Sequence, residues 1–400
     1  MEAWYRLSLV VLEVEQRMGK LLVLNAGSSS LKYDVFSPWR TDGPVRIGHG
    51  VVDRIGEADV PDHEAALDEA WAALRDLNGL DDLEAVAHRV VHGGALTDPV
   101  VVDADVEGQI QAACVLAPLH NPVALSGIRA VRTRWPDLPQ VVVFDTAFHR
   151  TLSAVAAAYA LPADLARRHQ IRRWGFHGIS HEYVARRAAE ALGVPLAEVQ
   201  LIICHVGNGV SVTAVRDGRS IDTSMGFTPM DGAVMGTRSG SIDPGVVFHL
   251  VRETDLSLDD VEDLLLHRSG MLGLCGDSDL QRVRERSDRG DAEAGFALAV
   301  YTHRIRGIVA SYVGQLPRLH AVVFTAGVGE HDPALREEVI RPLGHLGLAI
   351  DVAANAAATG PDEPAQIGSG DGPSVMVVPT DEAVEVARQA RSALRGPLRH

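Results

Sequence analysis

Residues 21–36, LLVLNAGSSSLKYDVF, and residues 201–218, LIICHVGNGVSVTAVRDG, read as two copies of one device. In the first, an apolar run over 20–25 meets a glycine-bearing turn at 26–29, and a second run over 31–36 returns. In the second, 201–205 leads into the turn 206–209, and 210–215 returns. Strand, tight turn, strand is a hairpin signature. A later run, AVVFTAGVGE over 321–330, again carries a strand into a glycine turn, here followed by the helical pattern DPALREEVIRPL. Two such halves predict a duplicated α/β architecture with a cleft between them.

Working outward, helical periodicity predicts helices over 62–77, 121–134, 181–192, 292–316 and 381–394. A strand over 141–144 ends at Asp145, and the Gly/Asp/Pro-rich stretch 359–373 reads as a surface loop. Four hundred residues exceed what one core organises, so two domains are expected. The 46% hydrophobic and 22% charged residues fit a globular enzyme and are too apolar for a disordered chain. With 37 basic against 53 acidic side chains the formal charge is −16, which argues against a nucleic-acid binder. It leaves room for a few local arginines around a phosphate.

Cys114, Cys204 and Cys275 lie far apart and show no paired metal-ligand spacing. Neither a disulfide framework nor a zinc module is expected, and a reducing cytoplasm fits. The apolar stretch 7–14 is too short to span a bilayer, lacks a small-residue cleavage site, and is interrupted by Glu13, Glu15, Gln16 and Arg17. Residues 1–17 therefore read as an extension ahead of the fold, with Met18 the alternative start. No later stretch is long and apolar enough for a membrane helix.

The chemistry-bearing residues fall into three groups. The turn Gly27, Ser28, Ser29, Ser30 offers backbone N–H groups and hydroxyls to one point, with Lys32 just beyond; Gly207, Asn208 and Gly209 can do the same. Glycines that merely permit a tight hairpin explain one such turn. Two matched turns, each preceded by a polar residue (Asn25, His205), favour a phosphate, although neither is a Walker A loop. The second group is cationic: Arg89 in HRVVHGG, His177 in WGFHGISH and Arg238 in MGTRSGSIDPG. A guanidinium in a glycine-flanked turn suits phosphate or carboxylate. His92, His120 and His181 keep a structural reading. The third group is anionic: Asp145 at a strand end, and Glu382 at the start of the last helix, where it serves helix electrostatics or organises Mg²⁺.

The strings NAGSSSLKY, HRVVHGG, APLHNP, VVVFDTAFH, WGFHGISHEYV, HVGNGVSV, FTPMDGAVMGTRSGSIDPG, FTAGVGE and VVPTDEAVEVAR together resemble the acetate kinase family over residues 18–397. The resemblance implies the acetate and sugar kinase/Hsp70/actin fold, which is ribonuclease H-like. It implies a first domain of 18–148 plus 382–400, a nucleotide-binding domain of 149–381, and a homodimer. It implies transfer of the ATP γ-phosphoryl group to acetate, giving acetyl phosphate and ADP, with Mg²⁺ (or Mn²⁺ in its place) at Asn25 and Glu382. Arg89 resembles the position that contacts the carboxylate, Arg238 the one that holds the transferring phosphoryl, His177 the transition-state histidine and Asp145 the catalytic acid. Val91, Leu119, Phe176 and Pro229 match the pocket for the methyl group. The nucleotide is implied at Ser28, Ser30, Lys32, His205, Val206, Gly207, Asn208, Gly209, Asp279, Leu280, Gln281, Gly327, Val328, Gly329, Glu330 and His331.

Two positions depart from the family pattern. His331 stands where G-I-G-E-N has asparagine, and Gln281 stands where S-D-x-R has arginine, with Arg282 one place later. Altered nucleotide selectivity is expected, with the chemistry intact. An acetate-like acceptor is already ionised at neutral pH, so no general base is required, and Asp145 falls to Mg²⁺-bound water and positioning rather than proton abstraction. The difficulty is the approach of two anions, which Arg89, His177, Arg238 and Mg²⁺ would offset during direct in-line transfer. Two other readings remain: a propionate or butyrate kinase with the same machinery, and a non-catalytic nucleotide-dependent interaction protein of the actin/Hsp70 type.

Overall fold

The computed structural model describes residues 19–27, 30–41, 43–53, 55, 60, 62–76, 82–118 and 120–395. The chain divides into two compact units, Met1–Ala147 with Asp381–His400, and Phe148–Thr380. The expected extension over 1–17, together with Ser28 and Leu119, lies outside the described residues.

Unit 1 is built on six strands: β1 (Lys20–Ala26), β2 (Ser30–Phe36), β3 (Arg46–Asp53), β4 (Leu83–Val90), β5 (Val100–Val101) and β6 (Gln140–Phe144). Their order across the sheet is β3-β2-β1-β4-β6-β5. The β1–β2 and β2–β3 pairs are antiparallel, β1, β4 and β6 are parallel, and β5 closes the edge antiparallel to β6. Unit 2 repeats this with β7 (Gln200–Val206), β8 (Val210–Arg216), β9 (Arg219–Thr223), β10 (Ala321–Thr325), β11 (Ala365–Gln366) and β12 (Ser374–Val377). Its order is β11-β12-β10-β7-β8-β9. Superimposing β7 on β1 sends every strand to its counterpart in order and in direction. The duplicated α/β fold expected from the two hairpins is present.

The central strands explain the apolar runs. QLIICHV of β7 and AVVFT of β10 are buried at every position, as parallel strands covered on both faces require. In unit 1, Leu22, Leu24 and Val86 pack with Trp71 and Leu74 of the helix His63–Asp76 and with Val131 of the helix Asn121–Arg134. In unit 2, Val184, Ala185 and Ala188 of the helix Gly178–Leu192 cover Leu201, Ile203 and Val323. The helix Glu382–Arg395 lies against β1, β4 and β6, which brings its first residue to the ends of those strands.

Two local expectations are corrected. The segment AGVGE does not turn freely: Ala326–His331 is a short helix, opened by Ala326 at φ +68°. The Glu330 carboxylate bends back to accept the Ala326 N–H at 2.7 Å, which lets a glycine-rich sequence hold one helical turn. The stretch 359–373 is not wholly loop either. Ala365 and Gln366 form β11, pairing with Val377 and Met376.

Candidate functional site

Each unit places its polar residues at the carboxyl ends of parallel strands, where open α/β sheets present ligand-binding groups. In unit 1 these are β1, β4 and β6. Leu24 is in register with His88 and Arg89 with Val143, so Asn25, Arg89 and Asp145 come to neighbouring strand ends. Arg89 Nη2 lies 2.7 Å from Asp145 Oδ2 and Nε lies 3.0 Å from Oδ1, while Nη1 lies 2.9 Å from Glu382 Oε2. Burial works against charge on Arg89, but Asp145 and Glu382 outweigh it and raise its pKa further. Burial raises the Asp145 carboxyl, and the guanidinium opposes that rise. A guanidinium carries five N–H donors. Asp145 engages two and Glu382 one, leaving one on each Nη for a further anion.

Asn25 is in register with Lys32 across the β1–β2 turn, as His205 is with Ser211 across the β7–β8 turn. The duplicated hairpins thus carry a polar pair at the same place. Ser30 is half-buried and Lys32 exposed.

Unit 2 gathers the rest. Gly207 N–H donates to the Gly209 carbonyl at 3.0 Å, closing the turn after β7. A Cβ on Gly209 would lie 3.2 Å from His177 Cε1, 3.4 Å from its Nε2 and 3.7 Å from Arg238 Nη1, so both cations flank this glycine. Gly236 permits the next close approach. A Cβ there would lie 2.3 Å from Asn208 Oδ1 and 3.4 Å from the Ser278 carbonyl. Gly207 approaches Ala326 of the third glycine segment, where a Cβ would sit 3.8 Å from the alanine methyl. His177, Gly207–Gly209, Arg238 and the segment after β10 are therefore one cluster.

Within it Arg238 is unusual. Its recorded partners are the Pro229 carbonyl at 3.2 Å and Met235 Sδ at 3.8 Å, and among the described residues no carboxylate pairs with it. Burial pulls its pKa below the ordinary arginine value. A desolvated cation without a counter-charge is costly unless an anion arrives to meet it.

Histidines dominate the other side. His177 caps the helix Gly178–Leu192 at φ +56°, a left-handed conformation that a non-glycine residue adopts at a cost. Its ring stacks on His205 with centroids 4.1 Å apart. His205 Nδ1 meets Ser180 Oγ at 2.8 Å, and Ser180 meets Thr380 Oγ1 at 2.8 Å. His177 Nδ1 and His181 Nε2 converge on Ser211 Oγ at 2.9 and 2.7 Å. Read from sequence alone His181 is structural; in space it touches the partner of His177. Ser211, Ser180 and Thr380 lie inside the quoted strings HVGNGVSV, WGFHGISHEYV and VVPTDEAVEVAR, but nothing in their residue types singled them out, and sequence reasoning passed over them.

The remaining candidates divide. Val91 is half-buried in unit 1, whereas Phe176 is buried in unit 2 and offers its carbonyl to His149 Nε2. Asp279 caps the helix Leu280–Asp288: Oδ1 accepts the Gln281 and Arg282 N–H groups, and Oδ2 pairs with Arg282 Nη1 at 3.0 Å. Leu280 is buried and the Gln281 side chain exposed. Glu330 holds the Ala326 and Thr380 N–H groups. His331 is exposed, its Nδ1 2.9 Å from the Gly327 carbonyl. Arg336, unmarked by any motif, is fully buried and donates to the carbonyls of Gly329 and Glu330 at 2.9 and 3.0 Å.

Two copies of one sheet, with glycine turns at strand ends and an uncompensated arginine beside one of them, define the class: a phosphotransferase of the acetate and sugar kinase fold. The acetokinase family model matches residues 20–388. An acetate kinase of Streptomyces avermitilis is 46% identical over 405 residues, covering 95% of this chain and 98% of that protein. The crystal structure of Porphyromonas gingivalis acetate kinase aligns with TM-score 0.84 at 34% identity, covering 94% of this chain and all of that one. That of a propionate kinase from Francisella tularensis aligns with TM-score 0.84 at 37% identity, covering 93% and 99%. The chain belongs to the acetokinase family, and is an ATP-dependent phosphotransferase with a carboxyl group as acceptor.

Proposed function

We propose that this chain transfers the γ-phosphoryl group of ATP to acetate reversibly, in a single direct step. The observation that carries the reading is Arg238, a partly buried cation with no carboxylate partner among the described residues, set beside His177 and the Gly207–Gly209 turn.

Arg238 and His177 would take up charge on the equatorial oxygens of the transferring group, and the backbone of residues 206–209 and 327–330 would receive the nucleotide. The two N–H donors that Asp145 and Glu382 leave on Arg89 would receive the acetate carboxylate, fixing its direction. Acetate is ionised well below neutral pH, with a pKa of about 4–5 by analogy with glutamate, so no residue need remove a proton. Asp145 then orients Arg89. Val91, Phe176 and Pro229 are the proposed apolar contacts of the methyl group. Asn25 and Glu382 fit Mg²⁺ by donor chemistry: the Asn25 amide and Glu382 Oε1 have no partner among the described residues, and hard oxygens suit that ion. Bound there, Mg²⁺ (or Mn²⁺) would offset charge on the nucleotide phosphates.

A homodimer in the cytoplasm is part of the same proposal. No described helix is long and apolar enough to cross a membrane, and all three cysteines are unpaired. Propionate as preferred acceptor is the second reading, favoured by the likeness to the propionate kinase structure. One methylene separates the two by only about 1–3 kcal/mol. Trapping the product as a hydroxamate, with MgATP and acetate, propionate or butyrate in parallel, tests the proposal. Acyl phosphate formed fastest from acetate is expected. ATP turnover without acyl phosphate from any of the three would overturn it.

A further inference from the structure

The Ser211 hydroxyl is fully buried, and its recorded partners are two imidazoles, His177 Nδ1 at 2.9 Å and His181 Nε2 at 2.7 Å. One hydroxyl hydrogen must go to one of them, because a buried O–H left without an acceptor is costly. His181 decides which. Its ring is fully buried, and its Nδ1 has no hydrogen-bond partner. A neutral imidazole carries one N–H and one bare nitrogen. Were the proton on Nδ1, an N–H would be orphaned in the core, the rarer defect of the two. The proton therefore sits on His181 Nε2 and is donated to Ser211 Oγ. The Ser211 O–H is then aimed at His177 Nδ1, which becomes the acceptor.

We propose that Ser211 and His181 form a positioning relay that fixes His177 as its neutral Nε2–H tautomer, with that N–H directed toward the Gly207–Gly209 turn. Gly209 lies at the Cε1–Nε2 edge of the ring, since a Cβ there would fall 3.2 Å from Cε1 and 3.4 Å from Nε2. Three further features agree. Burial holds His181 well below the ordinary histidine pKa, so its ring is neutral, with one N–H and one bare nitrogen, as the assignment requires. His177 precedes the first turn of a fifteen-residue helix, whose positive end disfavours an imidazolium. Its ring is stacked on a second imidazole, His205, a neighbour with no negative charge to attract a proton.

This inference rests on reading His177 as a hydrogen-bond donor to the transferring phosphoryl. Ser211 and His181 touch neither substrate and act only by settling which nitrogen of His177 offers a hydrogen. The relay gives a neutral donor whose proton is in place before the nucleotide arrives, at no cost in reorientation.

The test uses the full chain labelled with ¹⁵N-histidine, with two-bond ¹H–¹⁵N spectra reporting the tautomer of each ring. His177 is assigned by the signal that disappears in His177→Gln. The wild-type ring is expected to show protonated Nε2 and bare Nδ1. In Ser211→Ala that preference is expected to be lost, with kcat falling roughly 10–100-fold while both KM values hold within about twofold. His181→Gln, whose amide can donate to Ser211 as Nε2–H does, should keep the tautomer and most of kcat, whereas His181→Leu should not. A wild-type His177 protonated on Nδ1 or on both nitrogens overturns the relay, as does Ser211→Ala with tautomer and kcat unchanged. Wild-type turnover in His177→Gln would instead remove the reading of His177 as phosphoryl donor, leaving the spectrum to decide the relay on its own.

Discussion

The guanidinium of Arg89 is gripped along one edge by Asp145, with Nη2 to Oδ2 at 2.7 Å and Nε to Oδ1 at 3.0 Å, and held by Glu382 at 2.9 Å from Nη1. Two carboxylates from different elements thus orient one cation before any substrate arrives. Lysine cannot reproduce this, because an ammonium is a point charge without a planar fork. Arg89→Lys is expected to lower kcat/KM for acetate about 10²–10³-fold while KM for ATP stays near wild type. Steady-state kinetics with hydroxamate detection check it, and near-wild-type kcat/KM would remove Arg89 from the acceptor site.

Arg336 places all its donors on oxygen: Gly329, Glu330, Ala358 and both the carbonyl and side chain of Asn355. Burial lowers its pKa to about 10, still cationic at neutral pH. Arg336→Met would leave those carbonyls without their donor. A loss of about 3–5 kcal/mol is expected in urea unfolding. KM for ATP should rise as well, since residues 329 and 330 lose their anchor. A variant as stable as wild type would show that water replaces the arginine.

His88 is buried in β4 beside Gln140, its ring nitrogen 2.8 Å from Oε1. Burial lowers its pKa to about 4, against which the Gln140 bond works only weakly. In the unfolded chain it titrates near 6.5. Between those values the unfolded state binds the extra proton, so stability is present in full above pH 6.5 and declines as pH falls toward 4. Its contribution is about 3 kcal/mol. Urea unfolding across that window should show the decline, and His88→Gln should make it shallower by up to one proton. Equal slopes in the two proteins would contradict this.

Much of the fold was legible because its signals are local. The hairpins at β1–β2 and β7–β8 announce themselves by apolar runs meeting glycine turns, and the helix over 121–134 has the bounds its periodicity predicts. The arginines and acids of the candidate site could also be picked out, as charges in glycine-flanked or strand-end positions. Part of what was hidden depends on distant pairings. Ser211 sits inside HVGNGVSV without standing out there, and its meaning comes from lying in register with His205 and within reach of His177 and His181. The helix Ala326–His331 was hidden for a different, local reason. Two glycines argue for a turn until the Glu330 side chain satisfies the first N–H.

Nucleotide selectivity follows from two positions. Gln281 is exposed, and Arg282 is drawn to Asp277 and Asp279, with Nη2 to Asp277 Oδ1 at 2.7 Å. His331 leans on the Gly327 carbonyl rather than presenting an amide. A weak preference for ATP over GTP and ITP is expected, sharpened in the double variant Gln281→Arg, His331→Asn. Strong ATP preference in the wild-type chain would end this account of the two positions.

The central claim is that an uncompensated cation in unit 2 awaits the transferring phosphoryl group. Acetyl phosphate formation from acetate and MgATP, compared between wild type and Arg238→Ala, tests it most directly. The account predicts a loss of about 10²–10³-fold in kcat with the fold intact. An Arg238→Ala enzyme that makes acetyl phosphate at the wild-type rate would contradict it.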